Sequence, residues 1–259
     1  MLIVTVKQDR TLSLFKKQSG QKVNITFLFY TDNMIKFRQV MKMSYDYIYL
    51  RDPFAGDELN PNEIKNKINF VLKNKKNAYM IDKINDWKDV FFEDKWIEYK
   101  LLAEFMPKTE KLVDYAKINF NKYFIKERLS SRARGIVFNQ ENIHANKHYI
   151  KQEKIDIYKE YRVNTIFDEI IDPVTIKKPK TKDSKIKIIG AEKLTEDLRC
   201  FVEKIMRKIK FDFVGYDIAR LKDRELMLIE VNRSCLFAGY KRIVGVDLSS
   251  VFINKLLNK

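Results

Sequence analysis

The sequence predicts an α+β protein in which a small N-terminal α/β domain, residues 1–93, precedes a larger strand-rich region. Two observations carry this. Residues 1–82 alternate short apolar, strand-like runs with amphipathic stretches, as parallel pairing requires. From about residue 94 the chain becomes dense in strand signals around one long amphipathic helix. With 45% hydrophobic residues in 259, a core of that size is affordable and disorder is not the default.

Taken in order, MLIVTV opens a first strand. It reads as a strand rather than a signal peptide, because Lys7, Asp9 and Arg10 follow directly and no small-residue cleavage site is present. VNITFLFY (23–30), YDYIYLR (45–51) and AYMID (78–82) read as strands, with Tyr45, Tyr47 and Tyr49 sharing one face. MIKFRQVMK (34–42) and NEIKNKINFVLKNK (62–75) are amphipathic, and Asp52-Pro53 and Asn60-Pro61 punctuate. DKWIEYKLLAEF (94–105) predicts a helix with Trp96, Leu101, Leu102 and Phe105 apolar, ending before Pro107. Strands follow at YFIKER (123–128), RGIVF (134–138), HYIKQEKI (148–155) and EYRVNTIFDEII (160–171). The long helix, 194–209, starts at Thr195 as N-cap and aligns Leu198, Phe201, Val202, Ile205 and Ile209. FDFVGYDIARL (211–221) and RELMLIEVN (224–232) form a hairpin about Lys222-Asp223, and a helix near 247–258 closes the chain. The lysine-dense KKPKTKDSKIK (177–187) reads as an exposed loop.

Lys+Arg 51 against Asp+Glu 35 leaves a formal charge of +16, which favours anionic partners. The chain is also rich in Lys, Asn and Ile with only 7 Gly and 5 Pro, so part of that charge is compositional background. Nucleic-acid binding lacks a reading motif here. Cys200 and Cys235 make no disulfide framework and sit in no metal-binding spacing. No apolar run reaches the roughly 18 residues of a membrane span. The expectation is a cytoplasmic protein without a membrane partner. His144 and His148 pair with no nucleophile and read as loop residues.

The closing hairpin carries the chemistry. Glu230 and Asn232 are two apart and share a strand face, and a turn at 222–223 brings Asp217 beside them. Two carboxylates and an amide oxygen are hard ligands suited to Mg²⁺, or Mn²⁺, that also takes nucleotide phosphate oxygens. The alternative is a solvated polar face, which sits poorly among Val214, Ile218, Met227, Ile229 and Val231.

This hairpin resembles the last metal-binding strand of the ATP-grasp ligases, E-x-N after an upstream Asp. Further segments resemble the family in order over residues 94–259. Asp94-Lys95 and the helix ending at Met106-Pro107-Lys108-Thr109 look like its entry. FIKERLSSRARGI (124–136) looks like its phosphate-contacting lysine and flexible loop, YIKQEKI (149–155) like the hinge and EYRV (160–163) like the segment beyond. The loop departs from the family in holding a single glycine, Gly135. Arg233, Ser234 and Cys235 replace the family's small residues and Pro after the metal strand.

The resemblance implies an ATP-grasp fold with lobes 94–155 and 156–259, and ATP-dependent joining of a carboxylate to an amine through an acyl phosphate. It resembles glutamate-ligase-like and D-alanine-ligase-like members. Lys95, Lys126, Ser130, Ser131 and Arg132 would contact phosphates; Gln152, Glu153, Lys154 and Ile155 would line the adenine edge. Glu160 or Glu153 would accept from the ribose, with the family favouring Glu160. Asp217, Glu230 and Asn232 would hold Mg²⁺. Arg162, with Lys126, would meet the transferring phosphoryl group, and Arg233 the substrate carboxylate. Bland readings stay open: a salt-bridged surface lysine for Lys126, exposed glutamates at 153 and 160, a pair with Asp168 or Glu169 for Arg162, a surface arginine for Arg233. The surplus lysines around the hinge and at 177–187 would suit an acidic peptide or protein as substrate. A module that binds ATP or a peptide without ligating, and a homodimer, are compatible with the same residues.

Overall fold

The structure is a computed structural model. It describes residues 1–7, 9, 11–51, 60–116, 118–130, 135–144, 147–178, 187–233, 235 and 237–259. In chain order the elements are β1 (Leu2–Thr5), α1 (Leu12–Gln18), β2 (Thr26–Phe29), α2 (Met34–Val40), β3 (Tyr47–Leu50), α3 (Pro61–Asn74), β4 (Tyr79–Met80) and α4 (Trp87–Val90). Then come α5 (Lys95–Leu102), β5 (Thr109–Lys111), β6 (Tyr123–Glu127), β7 (Ile136–Val137), β8 (Tyr149–Glu153), β9 (Ile157–Ile166) and β10 (Glu169–Ile170). The chain finishes with β11 (Val174–Lys178), β12 (Lys187–Glu192), α6 (Glu196–Lys208), β13 (Phe213–Leu221), β14 (Leu226–Asn232), α7 (Ala238–Val244) and α8 (Leu248–Leu257).

Two units share these elements. The first comprises Met1–Phe91, Lys210–Phe213 and Arg233–Lys259. Its sheet is parallel, in the order β2-β1-β3-β4. Leu2, Ile3 and Val4 on the central strand are all fully buried, the continuous apolar run expected where helices cover both faces. α3 starts where the Asn60 side chain accepts from Asn62 N and Pro61 takes the first turn. Its Ile64, Ile68 and Val71 recur at helical spacing and are buried. Phe15 of α1 meets Phe237 and Phe252 edge to face, and Phe252 stacks on Phe213. These rings fix the closing helices in this unit.

The second unit comprises Phe92–Ile209 and Val214–Asn232 and holds two sheets. One is four-stranded, β5-β8-β6-β7. The other runs β12-β11-β9-β13-β14, with β10 folded back on β9. The stretch 160–171, expected as one strand, breaks at Phe167, whose φ of 56° reverses the chain so that Glu169 pairs with Ile166. The expected loop at 177–187 is also corrected. Lys177 and Lys178 end β11, Lys187 begins β12, and the Lys177 side chain is buried. Lys180, Lys182 and Lys185 lie outside the described residues.

α6 begins at Thr195, but the hydroxyl donates to Asp197 Oδ1 at 2.5 Å and makes no cap bond. Its Leu198, Val202 and Ile205 are buried, as their spacing requires. Among the described residues no helix is long and apolar enough to cross a membrane. Mixed α+β architecture is therefore as the sequence predicts.

Candidate functional site

Strand parity builds the site in the second unit. Glu160 and Arg162 are two apart on β9 and so share a face. Lys177 of β11 stands opposite Glu160, and Asp217 of β13 stands opposite Glu230 of β14. The order β11-β9-β13-β14 sets these residues side by side on one sheet. The ladder shifts register between Asp217 and Ile218, a bulge of the kind that re-aims side chains.

Asp217 is the hub of this face. Its carboxylate accepts from both Nε and Nη2 of Arg162, the latter at 2.8 Å, from Lys177 Nζ at 2.6 Å and from Asn232 Nδ2 at 3.3 Å. Burial pushes its pKa up, but Arg162 and then Lys177 outweigh burial and hold the carboxyl down at about 2. Lys177 Nζ also lies 2.6 Å from Glu160 Oε1. Arg162 therefore pairs with Asp217, where Asp168 or Glu169 had been the structural alternatives.

A second cluster surrounds α5 and the four-stranded sheet. Asp94 caps α5 by accepting from Trp96 N at 2.9 Å and grips Arg128 through two contacts of 3.0 and 2.6 Å. Lys95 Nζ donates to Ser130 O at 2.5 Å and Ser130 Oγ at 3.2 Å, and lies 4.0 Å from Glu230 Oε1. The base of the 128–135 loop is thus fastened to the start of α5. Gly135 closes that loop: a Cβ there would collide with Ser130 Oγ and meet Glu127 Cβ at 2.7 Å. Here the single glycine is required by close approach.

Lys126, half-buried on β6, donates to Gln152 Oε1 at 2.7 Å, and Gln152 Nε2 donates to Thr109 Oγ1 at 3.2 Å. Burial lowers the Lys126 pKa; Glu230 opposes that, Lys95 adds to it, and Glu98 and Glu160 oppose it. Lys126 of one sheet therefore feels carboxylates of the other. Glu98, buried on α5, accepts from Val231 N at 2.5 Å. Burial and then Glu230 push its pKa up to about 8, against Val231 N, Lys95 and Lys126.

The cluster gathers Lys95, Lys126, Ser130, Gln152, Glu160, Arg162, Asp217, Glu230 and Asn232. Ser131 and Arg132 lie outside the described residues. At the hinge, Glu153 N and Lys154 N already donate to Lys108 O and Lys122 O at 2.8 and 2.9 Å. Lys154 Nζ sits over the Phe124 ring, and Ile155 is half-buried. Arg233 belongs to the first unit, fully buried, and donates to Leu50 O and Asp82 Oδ2 at 2.7 and 2.9 Å. Glu98 and Lys177 were missed as site residues. Glu98 shares the buried face of α5 with Lys95 and Leu102 at spacings of three and four, and Lys177 alternates with buried Thr175. A charged residue in phase with core positions was the available signal.

Among the described residues no group of three or more His, Cys, Asp or Glu is gathered as a metal site. A mixed donor set is present instead: Asp217 and Glu230 are cross-strand partners, and Asn232 touches Asp217. These hard oxygens fit Mg²⁺ in type. The cations now on Asp217, Arg162 and Lys177, are themselves groups that a phosphate would attract.

No family model and no curated protein matches the sequence. Solved structures do resemble it. The ATP-grasp ligase PsnB, complexed with a phosphomimetic variant of its minimal precursor, Mg and ADP, superposes with a TM-score of 0.71 at 12% identity, covering 99% of this chain and 97% of that one. The macrocyclase MdnC from Microcystis aeruginosa MRC, bound with its precursor peptide MdnA, gives 0.66 at 12% identity, covering 99% of both chains. The D-cycloserine synthetase DcsG gives 0.66 at 12% identity, covering 98% of this chain and 99% of that one. The fold is that of the ATP-grasp ligases.

Proposed function

We propose that this protein is an ATP-dependent ligase that joins a carboxylate to an amine, with the carboxylate carried on an acidic peptide. The observation that supports this best is the facing of Lys95 and Lys126 with Glu230, beside the Asp217, Arg162 and Lys177 group on the adjoining strands. Cations and hard oxygen ligands so interleaved suit a polyphosphate and its metal.

In this reading Lys95, Lys126, Ser130, Ser131 and Arg132 bind the phosphate chain. Lys154 and Ile155, with Phe124, line the base, and Glu160 accepts from the ribose once Lys177 turns to phosphate. Arg162 and Lys177 leave Asp217 for the γ-phosphate and offset charge as it passes in line to the carboxylate. Asp217, Glu230 and Asn232 would hold Mg²⁺, which supplies Lewis-acid stabilisation of the phosphoryl oxygens. The acyl phosphate is then attacked by the amine, giving the amide, phosphate and ADP. The chain's contribution is positioning and charge. Arg233, engaged with Asp82, is left out of the substrate site. A peptide substrate is supported by the precursor peptides bound to PsnB and MdnC and by the net charge of +16.

The test is ADP formation from Mg²⁺ and ATP with pools of amino acids, neutral peptides and acidic peptides, followed by mass spectrometry of the acceptor. Loss of water from, or condensation of, an acidic peptide is expected, abolished by Glu230→Gln. ATP binding without ADP formation with any pool would favour a binding module instead.

A further inference from the structure

The outer edge of β14 is held by a side chain that phosphate chemistry does not require. β14 ends its sheet, so alternate N–H groups of this strand point away from β13 and need partners elsewhere. Val231 lies between Glu230 and Asn232, and its N–H donates to Glu98 Oε1 at 2.5 Å in a buried setting. Glu98 is 2% exposed and comes from α5, the helix that also carries Lys95. One carboxylate therefore touches the strand between two candidate metal ligands and sits beside the candidate phosphate cations Lys95 and Lys126.

A buried carboxyl oxygen accepting a backbone N–H is a stiff tether, because leaving that N–H without a partner is costly.

We propose that Glu98 is a positioning residue that clamps β14 onto α5 and so sets where Glu230 and Asn232 present their oxygens. The proposal rests on the ligase reading above for the identity of the bound group. The clamp itself does not.

Two measurements separate these. The first uses the protein without nucleotide and follows hydrogen exchange of the Val231 amide in wild type, Glu98→Gln and Glu98→Ala. Gln keeps an acceptor oxygen and should leave exchange within about threefold of wild type, whereas Ala should speed it by about tenfold or more. The second titrates Mg²⁺ into ADP complexes by calorimetry. In Glu98→Ala the Mg²⁺ concentration for half-saturation should rise about tenfold while metal-free ADP affinity stays within about twofold, and Glu98→Gln should recover most of the loss. If Glu98→Ala does not fold, Glu98→Met fills the volume without an acceptor and must give the same two results. Unchanged Val231 exchange in the acceptor-less variant overturns the clamp. An equal fall in metal-free and metal-dependent ADP affinity overturns the positioning role. A wild type that binds no ADP with or without Mg²⁺ overturns the ligase reading and with it the role toward metal, while the exchange result still decides the clamp.

Discussion

Both units bury charge, and they bury it differently. In the first, Arg51 is fully buried and donates to Asp9 Oδ2 at 3.0 Å, Tyr49 Oη at 3.1 Å and Thr11 Oγ1 at 2.9 Å, with Phe15, Tyr49 and Phe237 rings around it. Arg233 is held by Leu50 O and Asp82. These partners are fixed by the core: a strand carbonyl, packed rings, hydroxyls that are themselves bonded. In the second unit Lys95, Lys126, Arg162 and Lys177 face Glu98, Glu160, Asp217 and Glu230. There, apart from the contacts of Lys95 with Ser130 O and of Glu98 with Val231 N, the partners are other side chains, and Glu230 remains one-third exposed. An arginine locked by backbone and aromatic faces cannot change partners without unfolding its surroundings. A lysine paired with a half-open carboxylate can exchange it for phosphate. In the ligase reading proposed above, the contrast separates a structural ion pair from a candidate functional one better than burial alone.

The contrast breaks first at Arg51. Arg51→Ala leaves Asp9 buried without its cation and should destabilise the protein by about 3–5 kcal/mol, read from the denaturant midpoint. A loss below about 1 kcal/mol would mean the pair is not structural. Glu230→Gln should do the reverse. It should keep the wild-type midpoint and reduce ADP formation by roughly 10²–10³ or more, as loss of a transition-state charge contact does.

Lys126→Ala should weaken nucleotide binding about tenfold to a hundredfold, the worth of a charge-assisted contact of about 1.5–3 kcal/mol. Wild-type affinity by calorimetry would make Lys126 a surface lysine after all. Gly135→Ala should cost about 1–3 kcal/mol of stability, because its Cβ has no room against Ser130 and Glu127. A neutral midpoint there would show that Ser130 and Glu127 shift to admit the methyl group.

Much of this contrast was legible in the sequence, and the part that was not has a physical reason. Asp217, Glu230 and Asn232 follow from strand parity and one turn, because period-two geometry is local. Lys177 was not legible. Its burial depends on β11 pairing with β9 at Glu160, a long-range register that composition hides, so a lysine-rich run looked like solvent. Arg233 misled in the opposite direction. It follows the candidate metal strand directly, yet its partner Asp82 is 151 positions away in sequence, and nothing local announces such a pair. Glu98 falls between: its phase with Lys95 and Leu102 was visible, but the amide it serves was not.

The smallest expected effect tests whether the first unit is as inert as the contrast makes it. Asp82 is the exception among its fixed charges, since burial pushes its pKa up to about 6, Arg233 only partly offsets this, and Asp212 adds to it. A carboxylate whose folded pKa lies above its unfolded value of 3.8 binds protons more tightly in the native state. The unfolded state then carries fewer protons between about pH 4 and pH 6, so this group makes stability fall as pH rises through that window and contributes no slope above it. At about 1.4 kcal/mol for each tenfold difference in proton affinity between the two states, a fall on the order of 1–2 kcal/mol is expected. Denaturation midpoints at pH 4.5, 6 and 7.5 would be compared for wild type and Asp82→Asn. Asn cannot ionise, so its profile should lose the fall between the first two values while the remaining slope stays. Parallel profiles would mean that Arg233 holds Asp82 fully ionised throughout, and this pair would then be as fixed as Arg51 with Asp9.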